Sequence, residues 1–222
     1  MVAGRRSARA LLACGAVGPV LFVVAFLVEG AFRADYDPLR HPVSSLSLGQ
    51  LGWMQAANFV VSGLLILASA FGLRPALRRL GGGRWAPVLI GLVGVGLIGA
   101  GFFATDPISG YPPGTPPTAP VQTVHGELHD VFSTPVFTAL PAACCVVGYR
   151  LARNGHRGWA VYSIGTAVAF LIFFVLAGAG FAQNAALMPI GGLLQRLTLI
   201  VGFAWLTALS ISLPSLHPKP SS

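Results

Sequence analysis

Charge is what this sequence has least of: 9% of its 222 residues are charged, and six of those are acidic. Soluble domains carry roughly a quarter charged residues, so the shortage excludes an ordinary water-soluble fold. Cysteine is scarce as well. Cys14, Cys144 and Cys145 sit near span ends on the side read below as cytoplasmic, so no structural disulfide is expected. Leu11-Leu12-Ala13-Cys14 spells a lipoprotein cleavage pattern, but the apolar stretch ahead of Cys14 is too short for a signal core and a long one follows. Arg5-Arg6 likewise lacks a twin-arginine export context. No strand–glycine loop–helix pattern is present, which removes support for a phosphate cradle.

Apolar length is what the chain has instead. It is 55% hydrophobic with a mean hydropathy of +0.75. Six apolar runs stand out, at about 8–28, 53–73, 85–105, 128–148, 159–181 and 190–213. Each offers ~20 residues or more, enough to cross a ~30 Å hydrocarbon layer at ~1.5 Å per residue. Trp53, Trp85 and Trp159 mark span ends, where an amphipathic ring suits the membrane interface. The expected fold is all-α, one polytopic bundle of six transmembrane helices over 1–222, with ordered outer loops at 29–52 and 106–127.

The net charge of +8 does not point to nucleic acid, because the basic residues fall in short clusters between apolar runs. Arg5, Arg6 and Arg9 precede span 1. Arg74, Arg78, Arg79 and Arg84 separate spans 2 and 3, and Arg150, Arg153 and Arg157 separate spans 4 and 5. With Lys219 in the tail, eleven of the fourteen Lys and Arg lie on one side, which predicts cytoplasmic N- and C-termini in a multi-pass cell-membrane protein. The remaining three are Arg33, Arg40 and Arg196. All six acids (Glu29, Asp35, Asp37, Asp106, Glu127 and Asp130) then fall on the outer side, with His41, His125 and His129, leaving His156 and His217 inside.

The outer segments carry local order signals. Asp37-Pro38 and His41-Pro42 favour extended or turn backbone, and Ser44, Ser45 and Ser47 suit a cap or short helix. Gln55, Asn58 and Ser62 share one face of span 2, where Asn58 is expected to hydrogen-bond a neighbouring helix before any ligand. The glycines of span 3, from Gly91 to Gly101, read as a close-packing face. Six prolines between Pro107 and Pro120 make the next outer segment stiff, and Pro135 and Pro141 predict a kink in span 4.

The densest polar stretch is His125-Gly126-Glu127-Leu128-His129-Asp130, at the mouth of span 4. On a helix His125 and His129 share one face, with Glu127 and Asp130 roughly opposite. Arg196 lies ~9 Å deep in span 6 and Asp130 at a similar depth in span 4. An unpaired arginine in hydrocarbon costs roughly 2.5–3.5 kcal/mol, so Asp130, then Glu127, is the expected partner of Arg196.

Tyr36-Asp37-Pro38, His41-Pro42-Val43-Ser44-Ser45-Leu46-Ser47, Gly52-Trp53-Met54-Gln55, Asn58-Phe59, Phe103, Asp106-Pro107, Gly110-Tyr111-Pro112-Pro113-Gly114, His125 and His129 occur together here. In that combination the chain resembles the bacterial six-span membrane family known as domain of unknown function 998, over nearly its whole length. The resemblance implies a six-helix fold and no established activity.

The chemistry open to the outer polar residues follows from their types. His125, His129, Glu127 and Asp130 are the candidate acids and bases. Asp37, Arg40, His41, Ser44, Ser45, Asn58, Asp106, Tyr111 and Arg196 are the candidate binding residues. No cofactor is required, although His125 and His129 at i, i+4, with His41 as third ligand, admit a divalent metal such as zinc. The favoured reading is an outward-facing site that binds a lipid headgroup or other polar ligand from the outer leaflet. A membrane-embedded hydrolase or lipid-modifying enzyme, metal-dependent or not, is the alternative, and a small transporter or a structural or sensory partner protein the next. One site is expected, in which the His125/His129 face meets Asp37, His41 or Ser45 of the first loop and Asp106.

Overall fold

The computed structural model of the chain describes residues 2–79, 83–116 and 122–216. His217 and Lys219 of the tail, and Pro117 and Pro120 of the proline-rich segment, lie outside the described residues. Six helices make up the fold: α1 (Val2–Phe32), α2 (Gly52–Arg79), α3 (Trp85–Phe102), α4 (Val124–Arg153), α5 (Arg157–Phe181) and α6 (Gly191–Ser212). All six are long and apolar enough to cross a bilayer. Among the described residues the one β feature is an isolated bridge between Ile108 and Tyr111. The chain is an all-α, multi-pass membrane protein.

Each helix packs on its neighbour in sequence, and α6 returns to α1, so the bundle closes into a ring. Side chains such as Val24, Leu64, Val88 and Val175 remain exposed on the outside of that ring, as lipid-facing surface requires. The interior is filled by Ile66, Leu97, Leu140, Phe170 and Trp205. Phe22 of α1 meets Phe59 of α2 and Phe203 of α6 at centroid distances of 5.4 and 5.1 Å. Lipid supplies no hydrophobic drive between helices, so close backbone approach and buried hydrogen bonds must hold them. At the α2–α3 crossing, a Cβ on Gly63 would lie 2.8 Å from the Gly94 carbonyl oxygen, and one on Gly94 as close to that of Gly63. Asn58 Nδ2 donates to the Phe22 carbonyl at 3.2 Å, and Trp205 Nε1 donates to Ser163 Oγ at 3.0 Å.

Among the boundaries that differ from hydropathy, two bear on the site. Helix α1 continues to Phe32, which takes Glu29 out of the first loop. Helix α4 begins at Val124, one turn before the expected span, because Thr123 caps it: its Oγ1 accepts from Gly126 N at 3.1 Å. His125 and Glu127 therefore sit in the first helical turn. The helix then runs on through Pro135 and Pro141 to Arg153 as one element.

Candidate functional site

Residues 33–51, 103–116 and 182–190 meet at one end of the ring with the start of α4, and the first of these segments is docked on α6. Arg33 donates to the carbonyls of Leu48 (3.2 Å) and Leu51 (3.1 Å) and pairs with Glu29 at 3.5 Å, which folds the segment back over its own helix. Val43 N donates to Gln195 Oε1 at 2.7 Å, and Leu193 N to the Leu39 carbonyl at 2.9 Å. Gly192 makes the docking fit, since a Cβ there would run into the carbonyls of Pro38 and His41.

Arg196 completes that docking, and it does so without a carboxylate. It is 4% exposed, and its Nη1 donates to the carbonyls of His41 and Gly192, each at 3.0 Å. Its Nη2 donates to the Tyr36 hydroxyl, which in turn donates to the Pro42 carbonyl at 2.8 Å. The expected pairing with Asp130 or Glu127 is therefore replaced by a phenol and two carbonyls. Burial, only partly offset by the Arg196 charge, pushes the Tyr36 phenol up to about 12, so it stays a neutral donor.

His41 lies inside this loop core. Its ring stands 5.4 Å from Tyr36 and 5.2 Å from Tyr111, which brings the first and second connecting segments together. Its Nδ1 accepts from Asp37 N at 2.9 Å. Burial holds its pKa below the usual value, a tendency that Asp37 opposes and that Arg40 and Arg196 reinforce. Asp37 itself caps its own turn through Leu39 N (2.9 Å), Arg40 points towards Met188, and Ser45 is fully buried. Tyr111 is held by the tight turn Ile108–Tyr111, whose central Ser109 and Gly110 both have positive φ, the pattern of a type I′ turn.

The second segment grips the start of α4. Asp106 accepts from Thr123 N at 2.9 Å and from Thr123 Oγ1 at 2.6 Å, placing a carboxylate at a helix N-terminus where the dipole favours it. Gly126 leaves room for that carboxylate, because a Cβ there would collide with it.

The first turns of α4 face outward and inward by turns. His125 is exposed with its ring 5.8 Å from Phe103, and Glu127 is exposed. His129 is 3% exposed; its Nδ1 lies 2.8 Å from the Phe103 carbonyl and 3.1 Å from that of Ala100, so Nδ1 is the donor of its ring. Among the described residues no hydrogen bond or ion pair takes up the Asp130 carboxylate. It lines two connected features. One is an open cleft of ≈ 520 Å³ shared with Ser44, Asp106, Gln122 and Gln195. The other is a cavity of ≈ 90 Å³ beneath, shared with Ser44, His129, Ser133 and Gln195 over the apolar side chains of Phe22, Phe59, Leu97 and Leu199.

The three histidines thus face three different surroundings, and they do not converge on a metal. Among the described residues no group of three or more His, Cys, Asp or Glu side chains could hold a metal ion. The first-loop residue that joins the His129–Asp130 region is Ser44, in place of Asp37, His41 or Ser45. Asn58 has its amide committed to Phe22 and Gln55.

Comparison with known proteins agrees with this architecture. The family described as protein of unknown function (DUF998) matches residues 16–212. The chain belongs to the DUF998 family. No curated protein and no solved structure matches it. In this DUF998 protein Tyr36, Thr123, Ser133 and Gln195 belong to the site but were not among the candidate site residues. Gln195 carried a signal, being an amide beside an arginine within an apolar span. Thr123 carried one too, as a capping residue type one position before the helix.

Proposed function

We propose that the DUF998 protein binds an amphiphile, a lipid or lipid-linked molecule with a polar head, in the Asp130 cleft. The observation that carries this reading is the Asp130 carboxylate, unspent inside the protein and shared between the open cleft and the small cavity. Ser44 and Gln195 line both spaces with it, each from a different element. A few convergent polar groups above an apolar floor are the ordinary composition of a small-molecule site. The cleft is lined by Asp106 and Asp130 with no basic side chain, which suits a head rich in hydroxyl or amine donors better than a bare phosphate. The whole chain acts as one domain, with both termini cytoplasmic and the cleft at the outer leaflet, on the strength of the basic-residue partition.

The test is thermal stabilisation of the purified protein by short-chain phosphatidylethanolamine against short-chain phosphatidic acid. The amine-bearing lipid raises the melting temperature in wild type and loses its effect in Asp130→Asn. No shift from phosphatidylethanolamine in wild type, or an unchanged response in Asp130→Asn, contradicts the reading.

A second reading, a lipid hydrolase, draws on His129. Its Nδ1 is fixed by backbone carbonyls, leaving Nε2 as a base in the same cavity as Ser44 and Ser133. It requires release of fatty acid or head group from labelled lipid vesicles, lost in His129→Gln; binding without turnover rejects it.

A further inference from the structure

The opposite end of the bundle has a hollow of its own, and its charge is of the other sign. A space of ≈ 210 Å³ lies between α1, the end of α2 and the 3-10 turn Leu213–Ser215, lined by Arg9, Leu12, Pro75, Ala76, Arg79 and Pro214. Gly72 lets the two helices close beside it: a Cβ there would lie 2.8 Å from Leu11 Cβ and 2.9 Å from Leu12 N. Two exposed guanidiniums from different helices therefore share a lining that is otherwise apolar.

Among the described residues no carboxylate pairs with them. Among the described residues the one ion pair joins Arg33 to Glu29 at the far end of α1. Glu29 is itself ~30 Å along the helix from Arg9, and the other five acids lie at the far end of the bundle with it. Arg74, Arg78, Arg84, Arg150, Arg153 and Arg157 stand at the same end of the bundle but do not line the hollow. Arg78 and Arg79 complement the α2 C-terminal carbonyls, which accounts for a charge in the last turn but not for a second guanidinium arriving from α1.

We propose that this hollow binds the phosphate head of an anionic membrane lipid. Arg9 and Arg79 clamp the phosphodiester, and the glycerol lies over Leu12, Pro75 and Pro214. A guanidinium presents a planar fork of donors that matches phosphate oxygens. Basic pockets between helices at the membrane surface recognise such heads. The apolar lining at a membrane-crossing helix end makes lipid the occupant, not free phosphate. The site is independent of the Asp130 cleft.

Native mass spectrometry of the full-length protein in detergent tests this, with dioctanoyl phosphatidylglycerol, dioctanoyl phosphatidylcholine and inorganic phosphate as probes. With the Asp130 cleft filled by Ser44→Trp in every sample, phosphatidylglycerol binds saturably and phosphatidylcholine does not. Arg9→Gln with Arg79→Gln weakens binding about thirtyfold, while the equal-charge control Arg84→Gln with Arg157→Gln leaves it unchanged. Ala76→Trp, which fills the hollow and keeps both arginines, abolishes binding. Equal weakening by the two double variants, full binding in Ala76→Trp, or phosphate binding as tightly as the lipid overturns the proposal.

Discussion

Arg196 is a buried cation whose donors go to the Tyr36 hydroxyl and to the carbonyls of His41 and Gly192, all part of the dock between the first loop and α6. Hydrogen bonds from a charged donor contribute about 1.5–3 kcal/mol each, so Arg196→Met, which loses three, should cost at least ~4 kcal/mol in detergent melts. Adding Asp130→Asn should be additive within ~0.5 kcal/mol, because the two residues share no bond; rescue would mean that they are a pair after all. His41 gives a pH dependence. Burial keeps its pKa below the ordinary 6.5, so the unfolded chain takes up a proton before the folded one does. Its contribution to stability is complete above pH ~6.5 and falls as pH drops below that. His41→Asn, which keeps an acceptor for Asp37 N, should show a smaller loss of melting temperature between pH 7.5 and 5.5 than wild type. At the start of α4, Asp106→Ala removes the partner of the Thr123 cap and should cost about 1 kcal/mol. Gly126→Ala should cost a similar amount by displacing the same carboxylate, and the double variant less than the sum.

Helices were legible in the sequence to the extent that lipid dictates them. A bilayer demands ~20 apolar residues per crossing, so all six spans could be read from composition, and the glycines of α3 could be read as packing. Substituting Gly94 by Leu should force α2 and α3 apart and lower stability by ~1–3 kcal/mol, measured by detergent melts; an unchanged melt would deny the close crossing. The candidate site was less legible, because hydropathy gives a residue's depth and not its rotation about the helix axis. Asp130 and Arg196 lie at similar depth, but Arg196 turns to the first loop while Asp130 turns to the cleft. His125 and His129 share a helical face, but only His129 is buried, because the Phe103 carbonyl draws it inward. Loop residues were hardest: His41, Tyr36 and Tyr111 join two segments far apart in sequence, a contact that no local pattern encodes.

The molecule as a whole divides its charge between its ends, most of its arginines at one and its carboxylates at the other. If the arginine end is cytoplasmic, Ser109→Cys should label from outside intact cells only once a denaturant opens the turn that buries it, and Arg153→Cys should not label. An exposed alternative on the same segment, Gly114→Cys, should label without denaturant. The account rests most heavily on the Asp130 cleft as a binding site, and the amphiphile carried through purification tests it most directly. Native mass spectrometry of Arg9→Gln with Arg79→Gln, which removes the second lipid clamp, should show an adduct of defined mass that is lost when Asp130→Asn or Ser44→Trp, which fills both lined spaces, is added. A chain that carries no adduct, or one that keeps the same adduct in both variants, would contradict it.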